Sequence, residues 1–177
     1  MWRGGLSAPQ SLFMHADRPL ISENATSTLL HEVMHSALRV STAHGYDWIV
    51  EGIAEYYSLQ LLRRSGTISE ARYRAAFDAQ SKWVESAGNI CQRASSGATT
   101  ALAVTVMAAL DAEIRRATDR SASLDDVLPL LQQHDQSVDL QVLQRFAEQL
   151  IGEKSEVLDI RKLPGCRKIA TGNKENT

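Results

Sequence analysis

Two histidines and a glutamate, in His31-Glu32-Val33-Met34-His35, are the residues of this chain best spaced to do chemistry. On a helix, positions i and i+4 share a face. Their imidazoles can therefore converge on one Zn²⁺ at about 2.0–2.1 Å. Glu32, beside the first ligand, is then within reach of a metal-bound water as general base, the division of labour of a zinc protease. A hydrolytic zinc site takes three protein ligands and keeps the fourth position for water. Glu51 is the candidate third ligand, and Glu55, one turn further on, suits a hydrogen bond to the free ring N–H of a ligating histidine.

The elements that must position these groups read as helices. Ser22 to Ser27 is rich in N-cap formers, so a helix is expected over 25–40, starting near Asn24 or Ala25. Leu29, Leu30, Val33, Met34, Ala37 and Leu38 recur at helical spacing and predict one broad buried face. Fifteen residues separate His35 from Glu51, enough for a turn through Gly45 and the start of an antiparallel helix over 47–64 with Asp47 as its N-cap. Trp48, Ile49, Ile53, Tyr56 and Tyr57 leave little polar surface around Glu51 and Glu55, which argues against a plain solvated face. Further helices are expected over 69–87, 98–118, 124–133 and 138–151, with Ser69, Ser123 and Ser137 as N-caps and Gly66 and Gly152 as stops. Leu12-Phe13-Met14 is a candidate strand after Gly4-Gly5, residues 88–97 form the one long loop, and the polar tail 170–177 is expected to be disordered.

With Trp48-x-x-Glu51-Gly52-x-x-x-Tyr56-Tyr57 following the histidine pair, the sequence resembles the gluzincin metallopeptidases, nearest the glycyl aminopeptidase family among relatives of aminopeptidase N. The resemblance implies a mainly α, thermolysin-like catalytic domain with a short N-terminal β edge and a helical C-terminal half. It also implies that Glu51, the glutamate of the Glu-Gly pair, is the third zinc ligand. Gly4-Gly5-Leu6 resembles the family's glycine-rich edge strand that pairs with the substrate backbone, and Leu110-Asp111 and Ser123-Leu124-Asp125-Asp126 resemble its helical half. The likeness spans about residues 3–165 and is specific across 31–57. One departure matters. The family carries a Tyr-x-Lys-Gly sequence whose tyrosine stabilises the tetrahedral intermediate, and here that stretch is Ala94-Ser95-Ser96-Gly97. Loss of one such donor costs about 10²–10³ in turnover elsewhere, which makes Tyr56 and Tyr57 candidate substitutes, with Tyr46 a further one.

At 177 residues the chain suits one domain, taken as 1–169, and its abrupt start at a substrate-strand-like segment fits a piece of a longer protein. A net charge of −2 offers no case for nucleic acid. The uncharged run from Ala94 to Leu110 is expected to be a buried helix, not a membrane span. Cys91 and Cys166 are either a disulfide of an exported domain or two unlinked thiols. No signal peptide is visible, which leaves the cytoplasm and, for a truncated chain, the cell envelope both open. His15 and His44 read as surface imidazoles, His44 with a chance of lining the cleft between the two ligand helices, and His134 has no evident partner. Trp2 and Trp83 are expected in core or interface.

Two functions fit these observations. The first is zinc-dependent hydrolysis of a peptide or protein substrate, with one Zn²⁺ on His31, His35 and Glu51 and with Glu32 as general base. The second is a non-catalytic relative that keeps the site as a peptide-binding or structural element.

Overall fold

The computed structural model describes residues 5–8, 11–14, 17, 19–84, 89–91, 97–164 and 166, with 5–8 and 84 as backbone only. It runs β1 (Gly5–Ala8), β2 (Ser11–Met14), α1 (Thr28–Leu38), α2 (Trp48–Arg64), α3 (Glu70–Val84), α4 (Gly97–Ala117), α5 (Leu124–Gln132) and α6 (Leu140–Ile151), a mainly helical protein. The β edge is a hairpin rather than one strand. β1 pairs antiparallel with β2, Leu6 opposite Phe13, and both strands lie against α1. Gly4, Ala94, Ser95, Ser96 and the tail 170–177 lie outside the described residues.

α1 begins later than its N-cap-rich approach predicts. Ala25 is left-handed (φ 58°) and cannot be helical, so Ser27 takes the cap and accepts from the Leu30 N–H at 3.3 Å. Its burial also departs from the expected stripe. Among its described side chains only Glu32 and Leu38 are fully buried, whereas Val33 and Ala37 are exposed. α1 is thus a peripheral helix that spends one of its two buried positions on a carboxylate.

α2 and α4 form the centre. α2 buries most of its length, and α4 packs on α2, α3, α5 and α6 through Leu102, Val106, Met107, Leu110 and Ile114. By length and composition alone α4 would pass for a membrane-crossing helix, but here those apolar positions fill the core. Gly52 makes the α2–α4 approach possible, since a Cβ there would lie 2.8 Å from that of Ala103.

The caps follow local chemistry. Ser123 and Asp126 close a capping box on α5, and the Asp139 carboxylate, not Ser137, caps α6 from the Val142 N–H at 2.9 Å. Val138 is held in a bridge to Thr42, which delays that helix. Asp47 precedes α2 but makes no cap bond; its carboxylate accepts from the Thr42 hydroxyl at 2.8 Å. Cys91 and Cys166 form a disulfide, their Cα atoms 5.3 Å apart, and the adjacent Ile90 N–H donates to the Pro164 carbonyl at 2.9 Å. The C-terminal segment is thereby tied to the chain just ahead of α4.

Candidate metal centre and its cleft

α1 and α2 run antiparallel side by side. Ser27 meets Ser58, His31 meets Glu55 and His35 meets Glu51, so each turn along one helix steps one turn back along the other. The i, i+4 spacing on both helices therefore sets two histidines against two glutamates.

The donor atoms converge. His31 Nε2 lies 3.0 Å from His35 Nε2 and 3.3 Å from Glu51 Oε2, and His35 Nε2 lies 3.4 Å from Glu51 Oε1. Ligands bonded at about 2.0–2.1 Å in a tetrahedron stand about 3.3–3.4 Å apart. Two imidazole nitrogens and the Glu51 carboxylate thus sit close to the spacing that a small divalent cation would impose. His31, His35 and Glu51 are also the one group of three or more His, Cys, Asp or Glu among the described residues whose ligand atoms all fall within 4.8 Å of one another.

Glu55 stands behind this cluster. Its Oε2 lies 3.1 Å from His31 Nδ1, so Nδ1–H donates to the carboxylate and Nε2 is the nitrogen turned toward Glu51 and His35. Glu55 is only 7 % exposed, and its Oε1 is buried without a hydrogen-bond partner among the described residues. Burial favours a neutral His31 ring, but hydrogen bonds and charge from Glu51 and Glu55 outweigh it and raise its pKa to about 10. Burial works against the Glu51 charge too, and His31 and His35 overcome it, holding that carboxyl well below the usual range. Both shifts favour an ion pair between a protonated His31 and the Glu51 carboxylate.

Glu32 faces the same cleft from α1. It is 8 % exposed, and no hydrogen bond or ion pair to another described residue engages its carboxylate. The cleft encloses about 290 Å³. Besides the cluster it is lined by Thr26 and Thr28 before and at the start of α1, Gln80 and Trp83 near the end of α3, and Gly97 and Thr100 on the first turn of α4.

The two tyrosines read as oxyanion donors are not brought to the cluster. The Tyr57 hydroxyl donates to Asp125 Oδ1 at 2.6 Å, and the Tyr56 phenol lies near Asp111. Burial, followed by these acidic neighbours, pushes both phenols far above their ordinary value. The reason is helical phase: at about 100° per residue, Tyr56 and Tyr57 turn away from the Glu51–Glu55 face toward α4 and α5. Tyr46 and His44 do not line the cleft either. Gly5 and Leu6 form β1 beside α1, where the edge strand was expected. Trp83, expected in core or interface, is instead 58 % exposed at the cleft wall, and no feature of the sequence around it marks that position.

A family model described as M61 glycyl aminopeptidase matches residues 31–123, more than half of the chain and the whole of the stretch that supplies the cluster. No curated protein and no solved structure matches the chain.

Proposed function

The chain belongs to the M61 glycyl aminopeptidase family, and from that premise we propose that it is a zinc-dependent peptidase whose site is the α1–α2 cluster. The observation that carries this reading is the convergence of His31 Nε2, His35 Nε2 and the two Glu51 carboxylate oxygens at 3.0–3.4 Å, with Glu32 beside them and unengaged among the described residues.

His31, His35 and Glu51 would hold the ion, and this donor set, two imidazoles and one carboxylate, is one that zinc takes in hydrolytic sites. When bound, zinc polarises the scissile carbonyl and acidifies the attacking water. Glu55 holds His31 in the tautomer that turns Nε2 toward the cluster, and its negative charge strengthens that nitrogen as a donor. Glu32, which faces the cleft with no partner among the described residues, takes the proton from the attacking water and returns it to the departing amine. The β1–β2 hairpin beside α1 would hold the substrate backbone by strand addition. In keeping with the family description, cutting is at the amino end of the peptide.

The intermediate-stabilising group is supplied by neither Tyr56 nor Tyr57: neither lines the cleft, and the Tyr57 hydroxyl is bonded to Asp125. Turnover is accordingly expected to be slow beside that of a relative with the tyrosine, by about 10²–10³. The test is hydrolysis of a mixed peptide library at saturating zinc by wild type and Glu32→Gln. Wild-type cleavage should exceed that of the variant by about 10²–10⁴-fold at equal zinc content. Wild type indistinguishable from Glu32→Gln would favour the non-catalytic alternative.

A further inference from the structure

We propose that Gln80 is a catalytic residue, reaching the cleft from α3 to donate a hydrogen bond to the scissile carbonyl oxygen as it becomes an oxyanion. The inference rests on the peptidase reading above and names a further residue of that same site.

When water adds to a peptide carbonyl, a C–O bond forms and the carbonyl π pair moves onto oxygen. When the C–N bond then breaks, that pair re-forms the carbonyl, and the amine leaves with the proton that Glu32 has held. The charge gathered on oxygen between these steps is stabilised by donors already in place around it. Glu32, Glu51 and Glu55 line this cleft, no lysine or arginine lines it among the described residues, and Tyr56 and Tyr57 do not face it. Acidic surroundings repel a developing anion, which raises the value of any N–H or O–H aimed at it.

Apart from His31, the side-chain donors lining the cleft are Thr26, Thr28, Gln80, Trp83 and Thr100. Thr26 pairs its hydroxyl with that of Ser22 at 2.6 Å. A threonine hydroxyl sits on Cβ and cannot swing out from its own backbone, so Thr28 and Thr100 stay at the walls. The Trp83 ring is seated against Gly97, where an added Cβ would lie 3.1 Å from Cζ3, and packing therefore sets the direction of its N–H. Gln80 differs from all of these. It is half-buried, carries both amide N–H bonds on a long flexible stem, and makes no hydrogen bond to another described residue. Its neutrality suits the place. A lysine or arginine there would pair with Glu32 and occupy the general base, whereas an amide leaves it open. An amide is also a less acidic donor than a phenol, in keeping with the slow turnover expected above.

Gln80→Met keeps the length and helix preference of the side chain and removes the donor. At equal zinc content and unchanged circular dichroism, kcat on a glycyl peptide should fall about 10²-fold while KM stays within about threefold. Binding supplies a second readout. A phosphinic analogue of that peptide is tetrahedral and anionic where the scissile amide is planar. By calorimetry it should bind zinc-loaded Gln80→Met about 10²-fold more weakly than wild type. The peptide itself, titrated into Glu32→Gln with and without Gln80→Met, should change by less than about threefold. No cleavage by wild type would fail the peptidase reading by itself, and the two affinities would still decide this proposal. Equal losses for both ligands, a change confined to KM, or no change in either readout overturns it. So does the same loss in Trp83→Phe, which keeps a ring and removes the indole N–H, with Gln80→Met unaffected.

Discussion

Glu55 on α2 and Glu113 on α4 are both almost fully buried carboxylates, 7 % and 5 % exposed, on adjacent core helices. Glu113 is closed: Oε2 accepts from the Ser155 hydroxyl at 2.5 Å, and Oε1 from the Glu156 and Val157 N–H groups at 2.7 and 3.3 Å. Every bond it makes fastens the C-terminal segment to the core. Glu55 has one bond, to a histidine ring, and one oxygen with no partner among the described residues. Around it stand Glu51, Glu32, His31 and His35, and the nitrogen and oxygen atoms of His31, His35 and Glu51 converge on one another. Burying charge is costly in both places. In one the backbone repays the cost. In the other no such repayment is made among the described residues, and on the proposed function the difference separates a structural glutamate from a functional one.

The comparison predicts opposite phenotypes. Glu113→Ala strands two backbone donors and a hydroxyl, and should destabilise the fold by about 3 kcal/mol while the affinity of refolded protein for zinc stays within a factor of two. Denaturant unfolding with and without zinc reads both. Glu55→Gln should do the reverse. Loss of the carboxylate behind His31 should weaken zinc binding about 10–100-fold, with little change in the metal-free midpoint, as measured by competition with a chromophoric chelator. If Glu55→Gln damages the fold and leaves affinity alone, the distinction drawn between the two glutamates is wrong.

Gly52 links the two regions. Gly52→Ala must push α2 off Ala103, at a cost of about 1–3 kcal/mol. Because Glu51 is its neighbour, zinc affinity should fall with stability, whereas Ala108→Gly on the far side of α4 should spare the metal.

A further prediction concerns pH. The pKa of His31 in the metal-free fold is raised from 6.5 to about 10, so this ring contributes stability that is full below pH 6.5 and lost as pH rises toward 10. Zinc must displace the same proton, so its affinity should climb over that window by up to about tenfold per pH unit. Thermal midpoints of the metal-free protein should fall while zinc binding tightens. Parallel trends would mean that His31 is not the titrating group.

Much of this was legible in the sequence because it is local. The histidine pair, the carboxylates one turn apart on the next helix, and the caps at Ser69, Ser123 and Gly152 each depend on residues within a turn or two. What was not legible depends on helix phase and on distant partners. Tyr56 and Tyr57 belong to the Glu51 helix by sequence, yet they point at Asp111 and Asp125. The apolar residues of α1 suggested one broad buried face, but α1 sits at the edge and buries Glu32 instead. Cysteines 75 residues apart could be paired only once the C-terminal segment was seen to fold back before α4. Trp83 became a cleft residue through Gly97, whose missing side chain says nothing until α3 and α4 are packed.

The central claim is that His31, His35 and Glu51 together hold one zinc ion, and elemental analysis after dialysis tests it most directly. Wild type should retain about one zinc per chain, and His35→Ala and Glu51→Ala, each checked for fold by circular dichroism, should retain far less. Equal zinc in all three proteins, or none in folded wild type supplied with excess zinc, would contradict it.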